Sequence, residues 1–239
     1  MHPLPFPDVE RLATLQGEAH ALDRRLRAAE AAAVVRTALD AFAGRIAVVS
    51  SFGAESAVLL HLIATCGPST PVLMVDTGKL FADTLGYRDW LVHELGLTDV
   101  RTVTPDAAEL AARDPTGDLH GLDPDACCAL RKVRPLERAL APFDAWISGR
   151  KRFQTSARAA LPVTEIEGQR VKINPLAAWT RTDLDAYFAA HGLPRHPLEA
   201  EGYLSIGCAP CTDKVRPGED SRAGRWRGLS KQECGIHRP

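Results

Sequence analysis

The chain has 239 residues, 45% hydrophobic and 25% charged, a composition that suits one folded domain large enough to bury a core. Its formal net charge of −1 excludes a molecule built as a whole to attract nucleic acid. The first residues contain no long apolar run and no basic leader, so we expect a cytoplasmic protein without a membrane segment.

The chain opens with a stretch rich in Ala, Leu, Arg and Glu, which predicts one or two helices in an N-terminal helical segment over residues 1–43. Short apolar runs then alternate with helical patterns. We predict strands within 46–52, 70–78, 99–106 and 144–151, and helices within 55–67, 81–96, 107–114 and 180–192. This alternation predicts an α/β fold with a doubly wound, mainly parallel sheet covered on both faces.

Residues 44–213 are expected to form this nucleotide-binding α/β domain. Periodicity fades after about residue 194, and we expect residues 214–239 to form a mobile C-terminal arm, ordered only where something pins it. Lysine and arginine outnumber acidic residues in the arm. That excess predicts an anionic partner, large or small.

Two predicted strand ends carry residues that suit a nucleotide. Ser51 and Gly53 lie in the turn after the first strand, where free backbone N–H groups at a helix N-terminus favour an anion. Asp76 ends the second strand, where a ribose or base contact would form in such a fold. An ordinary strand–helix turn explains Ser51 and Gly53 about as well as an anion site does. For Asp76 considered alone, an Asx-capped turn is a better explanation than a ligand contact.

Two cysteine pairs predict a metal site. Cys127 and Cys128 fall in the first turns of a helix that Asp123 can cap, and its N-terminus would favour their thiolates. Cys208 and Cys211 have Cys-x-x-Cys spacing, which alone fits a redox pair, half a zinc site or half an iron–sulfur site. Together the pairs supply four thiolates, which zinc and iron–sulfur clusters both accept. Burial as small apolar side chains is the alternative for the first pair.

A lone cysteine near the chain end has basic neighbours. Cys234 follows Arg222 and Arg225 and precedes His237, and nearby cations favour a nucleophilic thiolate that could attack an anionic substrate. The stretch 148–158 adds four basic side chains that suit phosphate contacts. The alternative for both segments is a solvated basic surface.

In order, the motifs SSFGAES, VDTG, CC-x3-K, ISGRKRFQ, CAPC and ECGIH resemble those of the assimilatory adenylyl-sulfate reductases, thioredoxin-dependent members of the adenine nucleotide α-hydrolase-like fold. The resemblance runs from about residue 44 to the chain end. It implies reduction of adenosine 5′-phosphosulfate to sulfite and AMP in sulfate assimilation and cysteine biosynthesis, through a thiosulfonate on the nucleophile Cys234. It also implies a 4Fe-4S cluster held by Cys127, Cys128, Cys208 and Cys211. The implied substrate-binding residues are Ser51, Gly53, Asp76, Lys132, Gly149, Arg158, Arg222, Arg225 and His237.

The sequence departs from relatives at several positions. The turn Ser51–Ser56 lacks the Ser-Gly-Gly-x-Asp-Ser loop of ATP-cleaving relatives, which argues against ATP pyrophosphatase chemistry. Phe153 replaces a common acidic residue, and the spacing to Arg158 is one residue shorter, which weakens the assignment of that arginine.

Two alternative functions stay open at this point. One is a reductase that prefers the 3′-phosphorylated substrate or accepts both substrates. The other belongs to a different class, a zinc-stapled RNA-binding or tRNA-modifying protein whose basic arm would contact RNA. The sequence also leaves a homo-oligomer open.

Overall fold

The computed structural model describes residues 9–231 and 233–237, so residues 1–8 of the predicted helical segment and residues 232, 238 and 239 of the predicted arm lie outside the described residues. The helices are α1 (Val9–Leu26), α2 (Ala31–Ala41), α3 (Ser56–Cys66), α4 (Ala82–Glu94), α5 (Ala107–Arg113), α6 (Leu119–Leu122), α7 (Pro124–Cys128), α8 (Arg134–Leu140) and α9 (Arg181–Ala190). The strands are β1 (Ile46–Val49), β2 (Val72–Val75), β3 (Val100–Val103), β4 (Ala145–Ser148), β5 (Thr164–Glu167) and β6 (Arg170–Ile173).

Within the described residues, six strands form one sheet in the order β3-β2-β1-β4-β6-β5. Neighbouring strands are parallel except for β5 and β6, which form an antiparallel hairpin at one edge. The chain winds outward from the centre in both directions, so the order reverses between β1 and β4. The carboxyl ends of these two strands therefore flank the crevice where open α/β sheets bind ligands.

Helices cover both faces of the sheet, and the alternating side chains of each strand divide between two cores. Val48 and Ile147 belong to the larger core, to which helices α1–α4 and α9 contribute. Ala47 and Trp146 belong to the smaller core under α8. Full burial of an aliphatic side chain such as Val48 or Ile147 stabilises the fold by roughly 1.5–3 kcal/mol. The predicted doubly wound, mainly parallel α/β fold is confirmed.

The predicted helix ends match the structure where capping residues mark them. Thr180 Oγ accepts a hydrogen bond from the Asp183 N–H at 3.2 Å, and the Asp183 carboxylate accepts one from the Thr180 N–H at 2.7 Å. Asp123 caps α7 by accepting from the N–H of Ala126 at 2.9 Å. After α7 the chain is π-helical over Ala129–Val133, a deviation that often marks functional sites.

The arm is irregular but packed. An isolated bridge joins Leu80 to Cys208, a second joins Thr212 to Arg225, and the Trp226 side chain is buried. The second bridge and the burial of Trp226 hold the part of the arm that precedes Cys234 against the rest of the chain. The predicted mobility of residues 214–239 stays a prediction. None of the described helices combines the length and apolar composition that a bilayer crossing requires.

Candidate active site

A cavity of about 230 Å³ opens at the carboxyl ends of β1 and β4. Its walls come from the turns after these strands, the π-helical segment, the arm and the chain end. The sheet topology predicts a ligand crevice at this place. All but one of the predicted substrate-binding residues line it, namely Ser51, Gly53, Lys132, Gly149, Arg158, Arg222, Arg225 and His237, and Cys234 lines it with them.

The turn after β1 has an unusual backbone that shapes this cavity. Phe52 is fully buried and has a φ of 48°, a left-handed conformation that non-glycine residues seldom adopt. A Cβ at Gly53 would lie 3.2 Å from the carbonyl oxygen of Ile206, so glycine lets the turn pack closely against the backbone at Ile206. Sequence analysis identified this turn but not its strain.

The cavity is strongly cationic. Among the described residues that line it, six are basic and two are acidic. The basic residues are Lys132, Arg150, Lys151, Arg158, Arg222 and Arg225, and the acidic residues are Glu55 and Glu233. Such an excess of positive charge in a partly enclosed space concentrates an anionic ligand.

Some of these cations already have carboxylate partners. Arg150 pairs with Glu165 at the sheet edge, and Lys151 Nζ lies 2.6 Å from the Glu55 carboxylate. Within the described part of the chain, Lys132 and Arg225 are not paired with any carboxylate. These two cations are therefore available to an anionic group that enters the cavity.

Glu55 organises the wall beside these cations, and sequence analysis did not identify it. Its carboxylate accepts hydrogen bonds from Lys151 and from Gln154 Nε2, the latter at 2.8 Å, and lies 2.8 Å from Arg181. Burial opposes the charge of Glu55, but Lys151 and Arg181 hold the pKa of the carboxyl below its usual range. Gln154 in turn accepts a hydrogen bond from Arg158, which fixes the direction of that guanidinium.

The chain end enters the cavity from the side of the smaller core. Ile236 packs against that core, and the His237 ring stacks on Trp146 with 5.7 Å between the ring centres. Lys172 Nζ lies 4.5 Å from the centre of the same indole ring. Burial, helped by Lys172 and Arg150, keeps the pKa of His237 well below its usual value, so the imidazole is neutral at pH 7.

Four side chains that line the cavity carry buried nitrogens without a hydrogen-bond partner among the described residues. They are Nε of Arg150, Nε of Arg158, Nε1 of Trp226 and Nδ1 of His237. Buried polar atoms in native proteins are nearly always paired, so unpaired ones need an explanation. An anionic ligand in the cavity would supply acceptors for the two guanidinium groups.

Asp76 is the predicted substrate-binding residue that the structure does not bring to the cavity lining. Its carboxylate accepts a hydrogen bond from the Gly78 N–H at 2.9 Å, as expected for an Asx-capped turn. The preceding residue, Val75, lines the cavity instead. A contact between Asp76 and a ligand stays a prediction.

The four cysteines predicted to bind metal surround a second, much smaller cavity of about 10 Å³. Cys127 and Cys128 enter it from α7, and Cys208 and Cys211 enter it from the start and end of a 3-10 turn that precedes the arm. All four thiols are free, and Cys208 Sγ lies 3.2 Å from Thr77 Oγ. Burial raises the pKa of Cys128 to about 11 and also raises that of Cys127.

Lys132 joins the two cavities, since its side chain lines both. Burial opposes its charge, but the negative charges of the Cys208 and Cys234 thiolates raise its pKa above the usual value. The residue therefore stays cationic between the four cysteines and Cys234. A place for Lys132 between a cluster and the substrate stays a prediction.

The cysteine cavity fits a cluster with four thiolate ligands. Four sulfur-bearing side chains from two distant segments open onto one space, which is the ligand set that 4Fe-4S clusters require. The neighbouring Lys79, Arg131 and Lys132 would offset the negative charge of four thiolates. Among the described side chains, no group of three or more His, Cys, Asp or Glu is arranged to hold a single metal ion.

Comparison with known proteins was made on sequence and on structure. The family model of the phosphoadenosine phosphosulfate reductase domain matches residues 45–214. The chain is 58% identical over 204 residues to an adenosine 5′-phosphosulfate reductase of Mesorhizobium japonicum, covering 85% of this chain and 80% of that protein. It is 54% identical over 224 residues to another from Chelativorans sp., covering 93% and 91%.

A solved structure agrees with this result. The crystal structure of phosphoadenylyl-sulfate reductase from Candida auris, as a phosphate complex, superposes with a TM-score of 0.71 and 26% sequence identity. The superposition covers 84% of this chain and 97% of that one.

Proposed function

The chain belongs to the phosphoadenosine phosphosulfate reductase family, and from this membership we propose that it is an adenosine 5′-phosphosulfate reductase, an oxidoreductase of sulfate assimilation. One observation carries the proposal. A cavity at the carboxyl ends of β1 and β4 brings the Cys234 thiol together with six cationic side chains. A nucleophile surrounded by positive charge suits a substrate whose reacting atom lies in an anionic group.

The substrate carries a phosphate and a sulfate joined by one oxygen, next to adenosine. The turns after β1 and β4, which contain Ser51, Gly53 and Gly149, would hold the adenosine and leave the anionic groups facing the arm. Lys132 and Arg225 would neutralise these groups and orient the sulfur toward Cys234.

In the reaction that we propose, the Cys234 thiolate attacks the sulfur of the substrate. The bond from sulfur to the bridging oxygen breaks, AMP leaves with that electron pair, and a thiosulfonate forms on Cys234. A thiolate of reduced thioredoxin then attacks Cys234 Sγ, and sulfite leaves. The second thioredoxin thiol resolves the mixed disulfide, so the thioredoxin dithiol supplies both electrons.

A 4Fe-4S cluster would be held by Cys127, Cys128, Cys208 and Cys211. When bound, the cluster would supply a fixed local charge and link the segment that contains Cys208 and Cys211 to α7. The electrons for the reaction would come from thiols. Lys132 would carry the electrostatic effect of the cluster to the larger cavity, because the Lys132 side chain lines both cavities.

We place the protein in the cytoplasm, where reduced thiols are maintained.

A mobile segment around Cys234 would let the nucleophile serve two partners in turn. Cys234 must first contact a small substrate and afterwards meet a partner protein. A cysteine fixed in a deep pocket could do the first but not readily the second. Mobility of residues 214–239 is thus part of the proposal.

A reductase of the 3′-phosphorylated substrate is the second candidate, and the likeness to the Candida auris enzyme favours it. The zinc-stapled RNA-binding alternative is set aside because the chain belongs to a reductase family.

The proposal is tested by sulfite release from anaerobically purified protein with reduced thioredoxin. We expect kcat/KM for adenosine 5′-phosphosulfate to exceed that for the 3′-phosphorylated form. The Cys234→Ser variant should be inactive, whereas Cys66→Ser should retain activity because Cys66 lies at the end of α3 outside the cavity. A preference for the 3′-phosphorylated substrate would overturn the substrate assignment.

A further inference from the structure

Glu233 precedes the proposed nucleophile and places a carboxylate among the arginines of the cavity. Its two oxygens lie 2.7 and 2.8 Å from Arg158 Nη2, and one of them lies 3.7 Å from Arg222 Nη2. The three side chains are largely buried, with exposed fractions of 22%, 8% and 17%. Two of the cations that a substrate anion would use are thus already paired with the chain end.

A carboxylate and a phosphate or sulfate bind the guanidinium fork in the same way. An anionic substrate on Arg158 would lie against the Glu233 carboxylate, and like charges repel strongly in a partly buried space. Arg158 cannot turn away freely, since Gln154 accepts a hydrogen bond from it and is itself hydrogen bonded to Glu55. The carboxylate of Glu233 must therefore give way.

We infer that Glu233 is an internal anion that holds the chain end on Arg158 and Arg222 until the anionic group of the substrate displaces it. This inference rests on the proposed function, and it assigns a positioning role to a residue that acts through its neighbour Cys234. The carboxylate has two opposing effects. It keeps the chain end docked in the free protein, and it competes with the substrate for the same arginines.

The geometry of the chain end allows this exchange without undocking the nucleophile. Beyond Cys234, Ile236 packs on the smaller core and His237 stacks on Trp146, so a second anchor holds the end when the ion pair opens. Gly235, between Cys234 and that anchor, has a φ of 81°, a conformation that glycine adopts at little cost. Release of Glu233 would free the chain on the N-terminal side of Cys234, while Ile236 and His237 stay anchored on its C-terminal side.

The test uses holoprotein with Cys234→Ser, which prevents turnover, and compares it with the double variant that also carries Glu233→Gln. Binding of adenosine, adenosine 5′-phosphosulfate and inorganic sulfate is measured by calorimetry. Loss of the competing charge should tighten binding of the nucleotide about tenfold, equivalent to about 1.4 kcal/mol. Adenosine affinity should not change, because adenosine carries no anionic group.

Glu219→Gln is the matched control. It removes the same charge from the arm, but Glu219 pairs with Arg227 at 2.8 Å and does not line the cavity. Nucleotide affinity should stay unchanged in this variant.

Tryptic cleavage after Lys231, measured without ligand, reports docking of the chain end. It should be several-fold faster with Glu233→Gln than with Glu219→Gln. If Glu233 had only a structural role, Glu233→Gln would loosen the chain end and also weaken nucleotide binding. The inference instead predicts a looser chain end with tighter nucleotide binding.

Unchanged or weaker nucleotide binding by the Glu233→Gln protein would overturn the inference. If neither protein binds adenosine 5′-phosphosulfate but sulfate still binds more tightly to the Gln variant, the inference stands and the proposed substrate fails.

Discussion

The buried ion pair between Glu55 and Lys151 beside the cavity allows a quantitative test of how the site is held. Lys151 Nζ lies 2.6 Å from the Glu55 carboxylate, and the side chains are only 3% exposed for Lys151 and 13% exposed for Glu55. Burial lowers the pKa of Lys151, so its charge depends on Glu55. Removing one partner of such a pair costs about 3–5 kcal/mol, because the other charge stays buried and unpaired.

We therefore expect Glu55→Gln and Lys151→Met each to lower the free energy of unfolding by about 3 kcal/mol, near the lower limit of this range. The lower value applies because Arg181, which is 39% exposed, also pairs with Glu55 and leaves some solvent access. In a protein of this size, 1 kcal/mol shifts the Tm by about 2–4 °C, so each variant should melt about 6–12 °C lower.

Calorimetric melting of the two single variants and the double variant completes a double-mutant cycle. The double variant should lose clearly less stability than the sum of the single losses, since neither charge is left alone. Asp185→Asn is the control, because it breaks the exposed pair with Arg195 and should cost at most about 1 kcal/mol. Additive losses within about 0.5 kcal/mol would refute the reasoning.

Three further outcomes are expected. Burial lowers the pKa of His196 from 6.5 to about 4, so the neutral form stabilises the fold above pH 6.5. As the pH falls from 6.5 toward 4 the protein should lose up to about 3 kcal/mol, seen as a falling Tm that His196→Gln flattens. Trp146→Phe should raise KM for the nucleotide several-fold more than it changes kcat, because the stacking surface of His237 shrinks. Gly224→Ala should abolish activity, since its Cβ would lie 2.1 Å from a backbone carbonyl oxygen of the arm, whereas Gly86→Ala, with nothing within 4 Å, should leave activity intact.

Hydrophobic pattern was enough to predict the centre of the sheet. Strands β1, β2 and β4 contain short apolar runs between helical patterns, and each of the strands β1–β4 lies within its predicted range. The hairpin of β5 and β6 was missed because its charged alternate residues suggest an exposed loop. In the structure Lys172 is fully buried, paired with Glu167 and placed over Trp146, contacts that the local sequence does not reveal.

Motif spacing predicted which residues meet at the site but not how they are paired. The two cysteine pairs, about 80 positions apart, open onto one cavity as a shared ligand set would require. The acidic residues were missed because their partners are distant in sequence. Glu55 binds Lys151 across 96 positions, and Glu233 binds Arg158 across 75, so only the fold brings them together.

The most direct test of the central claim is anaerobic mass spectrometry after adenosine 5′-phosphosulfate is added without thioredoxin. We expect a native mass that includes four irons with their sulfides, and one sulfonate group that maps to Cys234 in the denatured, digested protein. Cys234→Ser should form no adduct, and Cys66→Ser should form it as the unmodified chain does. Sulfonate on another cysteine, or AMP release without any adduct, would contradict the account.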